Sequence, residues 1–160
     1  MPFYQNSGVL VFGSRLRRIS EAFLADVNSI YKHHGIRFDA AWFPIFYMLS
    51  HQGALSIREI SIELEVSHSA ASQLVSKLVE KGLIRSGIDK NDARKKVVSF
   101  TPKGQKLLQQ VQPIWTAVQK AMDQLLEEMP HGKLLMPAIG ELEKSFQQST
   151  IFDRIEKQLQ

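Results

Sequence analysis

The sequence predicts a mainly α-helical fold with one small β-hairpin, and three observations predict it. Apolar residues recur at steps of three and four through most of the chain, the spacing of one helix face. Between Leu83 and Thr101 that period gives way to LIRSGID and KVVSFT, two short strand-like runs separated by about seven mostly charged residues. Immediately before them, SIREISIELEV and SHSAASQLVSKLVEKG read as two short helices about three residues apart, a helix-turn-helix. A hairpin following such a pair is a wing, so the expected architecture is a winged helix-turn-helix flanked by long N- and C-terminal dimerisation helices.

Taken in order, Leu16, Ile19, Phe23, Val27 and Ile30 form one stripe of a helix from about Ser7 to His34, stopped by Gly35. Asp39 offers an N-cap for a second helix to about His51, with Phe43, Phe46, Met48 and Leu49 as core. Pro44 lies inside this pattern, so the helix should bend there or begin late. Ser56 followed by Glu59 is a capping box for a third helix over 57–64, with Ile57, Ile60 and Leu64 on one face. Ser67 caps a fourth, whose Ala70, Ala71, Leu74, Val75, Leu78 and Val79 face inward, and Gly82 closes it. In the hairpin Leu83 and Ile84 enter the first strand, and Val97 or Val98, then Phe100, turn inward from the second.

Thr101-Pro102 starts a long helix by pairing a capping hydroxyl with proline in the first turn. Its stripe runs from Leu107, Leu108, Val111, Ile114 and Trp115 through Val118, Met122, Leu125 and Leu126 to about Met129, a length of about 40 Å. Pro113 should kink it. Pro130 and Gly132 end it, and a last helical pattern runs from Lys133 through Leu134, Leu135, Ile139, Leu142 and Phe146, continuing as Ile151, Ile155 and Leu159.

The 160 residues suffice for one domain, which at this size buries about 70% of its unfolded surface. Cysteine is absent, which removes disulfides and thiolate catalysis. No apolar run approaches the roughly 20 residues of a membrane span, and the N-terminal cations follow the apolar patch instead of preceding it, so a soluble cytoplasmic protein is expected. The net charge of +4 is concentrated: residues 53–106 carry ten Lys/Arg against six Asp/Glu, while the remainder balances at ten against ten.

This segregation gives the winged element its expected partner, double-stranded DNA. Ser69, Ser72, Gln73 and Ser76 occupy the outer face of the fourth helix and can donate to and accept from base edges without holding the helix away from them. The wing would lay Lys90, Arg94, Lys95 and Lys96 along phosphates, or place one arginine in the neighbouring minor groove. The terminal helices are too apolar on one face to hang free, which favours a two-fold homodimer reading half-sites about 34–36 Å apart.

The stretch SHSAASQLVSKLVEKGLIRSGIDKNDARKKVVSFTPKGQKLL, residues 67–108, resembles the MarR family of winged helix-turn-helix regulators, in its Leu-x-x-x-Gly-Leu-Ile-Arg helix end, its Asp-x-Arg wing and its Phe-Thr-x-x-Gly. The similarity covers nearly the whole chain. It implies a single domain over 1–160, with about 1–34 and 107–160 as dimerisation helices and about 53–106 as a DNA-binding lobe. It also implies transcriptional regulation, repression included, by an obligate dimer on a palindrome, and an effector pocket where lobe and dimer region meet. By residue, it assigns Asp92 to orient Arg94 for the minor groove. Ser67, His68, Ser69, Ser72, Gln73, Ser76 and Lys77 then face the DNA, and the recognition helix carries little positive charge before Lys77. The stretch from Ser14 to Ser50 also looks like relatives fused to an N-acetyltransferase domain. The rival reading is therefore a winged-helix protein-interaction module, or a remnant of such a fusion without specific DNA binding.

Other chemistry has little support. Adjacent His33 and His34 diverge by about 100° on a helix, and no histidine or acidic residue at i+3 or i+4 completes a metal set. No nucleophile elbow, phosphate-binding glycine loop or zinc-peptidase pattern occurs, so no catalytic residues, metal or cofactor are expected. Arg15, Tyr31, Trp42 and Phe46 are candidates to line a pocket for a small-molecule effector, with aromatic walls and one cation.

Overall fold

The computed structural model describes residues 3–89, 92 and 94–160. The elements are α1 (Phe3–Asn6), α2 (Phe12–His33), α3 (Phe43–Gln52), α4 (Ile57–Glu63), α5 (His68–Glu80), β1 (Ile84–Ile88), β2 (Lys96–Phe100), α6 (Pro102–Glu128), α7 (Gly132–Gln148) and α8 (Ile151–Leu159), with 3-10 turns at Gly8–Val11 and Ala40–Trp42. The chain forms two compact units, Met1–Trp115 and Thr116–Gln160, and the division falls inside α6.

In the first unit each expected helix is present, with changes at the ends. The N-terminal helix starts as α1 and a 3-10 turn before α2 proper. Asp39 caps the 3-10 turn, accepting from the Ala41 amide at 2.9 Å, while Asn28 of α2 accepts from the Ala40 amide at 2.8 Å. The second helix therefore begins late, at Phe43, with Pro44 in the first turn, where its missing N–H costs nothing. Gly35 and Gly82 adopt positive φ and close α2 and α5 with paired Schellman bonds, Ile36 to Tyr31 and Leu83 to Leu78 among them.

The core is built around Phe38, whose ring meets Tyr31 at 4.9 Å, Phe46 at 5.0 Å and Trp42 at 5.6 Å between centroids. Phe46 passes the contact on to Phe100 of β2 at 4.9 Å. Each such edge-to-face pair contributes about 0.5–1.5 kcal/mol beyond its buried area. Ile45 is buried in α3, whereas the expected core residue Phe43 is exposed at its surface edge and packs against Trp115 at 5.0 Å. Val79, expected to face inward from α5, is likewise exposed.

β1 and β2 pair antiparallel from Ile84–Phe100 to Ile88–Lys96. Leu55 adds a third, one-residue strand on the far side of β2, exchanging both backbone bonds with Val98 at 3.1 and 2.7 Å. Both Val97 and Val98 are buried. The hairpin is also tied to α4. Glu59 uses Oε2 for the capping box, accepting from the Ser56 amide and hydroxyl at 2.8 Å, and Oε1 for the Lys95 ammonium at 2.6 Å. These contacts, the Lys95 hydrogen bond above all, hold the Glu59 carboxyl down at about 2.

The start of α6 is set by backbone proximity. Thr101 donates its amide to Leu83 at 3.0 Å and its hydroxyl to the Gly82 carbonyl at 2.6 Å, and accepts from the Gly104 amide at 3.0 Å. A Cβ on Gly104 would overlap the Leu83 carbonyl oxygen. α6 then runs unbroken past Pro113. In the second unit α7 likewise continues past Pro137, and α8 opens on a Thr150/Asp153 capping box. Arg154 spans that junction, donating to the Ser145 carbonyl at 3.1 Å and hydroxyl at 2.9 Å.

Two outcomes are expected from these contacts. Gly104→Ala should destabilise the protein by about 1–3 kcal/mol, because backbone must move to admit a methyl group. Thermal melting would show this as a drop of about 2–4 °C per kcal/mol; an unchanged melting temperature would contradict the close approach. Glu59 titrates at about 2 when folded against an ordinary 4.5, so its pairing stabilises above the higher value and fades as pH falls towards the lower. Urea titrations of wild type and Glu59→Gln should therefore differ most near neutral pH, the difference narrowing below about 4.5 and closing only near pH 2.

Candidate nucleic-acid interface

α5 is positioned by its apolar rear. Ser67 caps it, accepting from the Ala70 amide at 3.1 Å, and Ala71, Val75 and Leu78 are buried as the helix packs on α4 and β1. That burial leaves the opposite stripe outward. Ser69, Gln73, Ser76 and Lys77 are exposed along it, Ser67 and His68 are exposed at its start, and Ser72 is half-buried at its edge. A major groove about 12 Å wide admits an α-helix, and the stripe offers hydroxyls and an amide that both donate and accept.

The hairpin carries the second group. Its loop closes through a hydrogen bond that the Asp89 amide donates to the Lys95 carbonyl at 2.9 Å. Asp92 sits at the turn: its carboxylate accepts from the Arg94 amide at 3.0 Å, and its carbonyl accepts from the Lys95 amide at 3.0 Å. Asp92 thus fixes the backbone from which the exposed Arg94 side chain projects. Lys96 is exposed at the start of β2. Lys95 differs from both, because its ammonium is already paired with Glu59. Lys90 lies outside the described residues.

Of the residues named for an effector pocket, Tyr31 and Phe46 are fully buried in the aromatic core, and the Tyr31 hydroxyl accepts from the Trp115 indole N–H at 3.0 Å. Burial raises the Tyr31 pKa, an effect that this hydrogen bond opposes. Trp42 is half-buried and Arg15 is exposed on α2. Sequence reasoning did not single out Glu59 as the partner of the wing; its place as the fourth residue of the capping box was visible, but a pairing across 36 positions carries no local signal. Among the described residues, no three His, Asp or Glu side chains are grouped to hold a metal ion, and no helix is long and apolar enough to cross a membrane.

Comparison with known proteins agrees with this geometry. Residues 38–95, which contain α3, α4, α5 and β1, match the model of the MarR family. The chain is 31% identical over 88 residues to an uncharacterised HTH-type transcriptional regulator, YdgG, of Bacillus subtilis strain 168; the match spans 53% of this chain and 58% of the relative. Among solved structures, a MarR/EmrR family transcriptional regulator from Acinetobacter sp. ADP1 superposes with a TM-score of 0.68 at 22% identity, over 85% of this chain and 94% of that one. MepR of S. aureus, in a complex with DNA, superposes with a TM-score of 0.67 at 20% identity, over 84% and 97%. Residues 38–95, which hold the helix-turn-helix and the first strand of the hairpin, are thus similar to the MarR family, and the fold is similar to that of solved winged-helix regulators.

Proposed function

We propose that the protein is a sequence-specific DNA-binding transcriptional regulator that acts as a homodimer on a palindromic operator. The observation that carries this reading is the outward stripe of Ser69, Gln73, Ser76 and Lys77 beside a hairpin whose turn presents Arg94. The helix reads base edges in the major groove, Arg94 enters the adjacent minor groove, and Lys96 lies along phosphates. Lys95 contributes by holding the wing to α4 as much as by its charge.

The homodimer is supported by apolar surface that each unit leaves uncovered. On α2, Leu16, Ile19, Phe23 and Ile30 are all exposed, and on α8 so are Ile151, Phe152, Ile155 and Leu159. Stripes of this extent on a monomer are an aggregation liability unless a partner buries them. A ligand that favoured one spacing of the two reading heads would control binding by its differential affinity for the two arrangements.

The alternative, a winged helix used for protein contact, is separated from this reading by salt. A regulator releases counterions from DNA, so its affinity for duplex should fall steeply between about 50 and 200 mM salt; a protein-contact module shows no such slope. In the same assay Arg94→Ala should weaken binding to every duplex with no change in the thermal melt. Gln73→Ala should cost about 1–3 kcal/mol on the preferred sequence and little on random DNA. Equal loss on both duplexes would remove Gln73 from base reading. Sedimentation equilibrium should give twice the chain mass at micromolar concentration, and Phe152→Glu with Ile155→Glu should shift it towards monomer; a monomeric wild type would overturn the homodimer.

A further inference from the structure

Glu59 stands where α4 meets the wing, and each of its carboxylate oxygens is committed. Oε2 accepts from the Ser56 amide and hydroxyl, both at 2.8 Å, which fixes the side chain against the first turn of α4. Oε1 accepts from the Lys95 ammonium at 2.6 Å, across 36 positions. A surface ion pair ordinarily contributes little, because two long side chains must be immobilised to make it; here the capping box has already immobilised one of them. The Lys95 hydrogen bond, with those from Ser56, holds the Glu59 carboxyl at about 2, and the same bond raises the Lys95 ammonium, on which Asp89 and Asp92 also act. Both partners are therefore ionised throughout the neutral range. Among the described residues the neighbouring Arg94 and Lys96 are exposed and have no carboxylate within ion-pair reach. The wing thus offers Arg94 and Lys96 to solvent and turns Lys95 back towards α4.

We infer, given the DNA-reading function proposed above, that Glu59 is a specificity-determining residue: it withholds Lys95 from the phosphate backbone, so that the wing binds through the placement of Arg94 and not through indiscriminate charge. With hydrogen bonds of about 2.8 Å at a tetrahedral nitrogen, a phosphate oxygen on the same ammonium would lie about 4–5 Å from Glu59 Oε1, where two like charges repel. Salt leaves most of that repulsion in place, since the distance is about half the Debye length at 0.1 M. A phosphate contact adds alike to a preferred and a random sequence. The placement of Arg94 counts only where the minor groove is narrow enough to hold it. By pinning the base of the loop and by removing one phosphate contact, Glu59 raises the ratio of specific to non-specific affinity while lowering affinity for DNA at large.

The test is a double-mutant cycle read by fluorescence anisotropy. The full-length wild type, Glu59→Gln, Lys95→Gln and the double variant are titrated from about 50 to 200 mM salt with a duplex enriched by selection and with a random duplex. Glutamine keeps the capping box, so Glu59→Gln should fold. It should steepen the salt dependence by about 0.9 in log–log slope on both duplexes and raise affinity for the random one at least about threefold near 100 mM. The ratio of enriched to random affinity should fall at least about threefold. Lys95→Gln should leave the wild-type slope unchanged and abolish the steepening in the Glu59→Gln background. A shallower slope for Lys95→Gln alone would place Lys95 already on a phosphate and overturn the proposal, and this arm decides even if Glu59→Gln fails to fold. Equal gains from Glu59→Gln with and without Lys95 would also overturn it, since Glu59 would then act only as a like charge near DNA. In both of those outcomes the wild type still binds duplex with a salt slope, so the DNA-reading function stands; a wild type with no such slope would remove that function and this proposal together.

Discussion

The carbonyl of Leu83 is the point on which the helix-turn-helix and its hairpin are assembled. It follows directly on the Gly82 turn that ends α5, it receives the Thr101 amide and hydroxyl, and it lies so close to α6 that only glycine fits at 104. Three elements therefore meet through backbone, with no long side chain between them to adjust. The end of α5, the base of the hairpin and the start of α6 are fixed relative to one another by these backbone contacts alone. This is why a Phe-Thr-Pro-Lys-Gly run is found at that place: the hydroxyl caps, the proline starts the helix, and the missing Cβ permits the contact.

The wing gains a second constraint from α4. Glu59 divides its two carboxylate oxygens between the cap of α4 and the Lys95 ammonium, so one side chain both starts a helix and anchors a loop. Both partners are partly exposed, and screening limits what their charge pairing adds to stability. Its effect is on position. With Lys95 held back and Asp92 holding the Arg94 amide, the loop presents Arg94 and Lys96 outward from a defined base.

Much of the lobe was legible in sequence because its signals are local. The Ser56/Glu59 box, the Ser67 cap, the Gly82 stop and the Thr101-Pro102 start each rest on contacts within four or five residues, and each occurs where the pattern put it. Pro44 was ambiguous because proline in a first turn and proline at a bend look alike until the start of the helix is known. What escaped was non-local or masked by a stronger pattern. Leu55 as a third strand depends on Val98 across 43 positions, and Phe43 and Val79 keep a helical period although they sit at its exposed margin. The Thr150/Asp153 box was readable but was absorbed into a continuous apolar stripe.

The central claim is that a neutral polar helix face and a cationic hairpin read DNA together and in pairs. Selection of bound duplexes from a random pool tests it most directly, since one experiment reports base preference, symmetry and spacing. The account predicts an enriched inverted repeat whose half-sites are centred about 10 base pairs apart, with A·T-rich steps flanking it where Arg94 enters the minor groove. Recovery of unenriched sequence, or of a single unrepeated half-site, would contradict it.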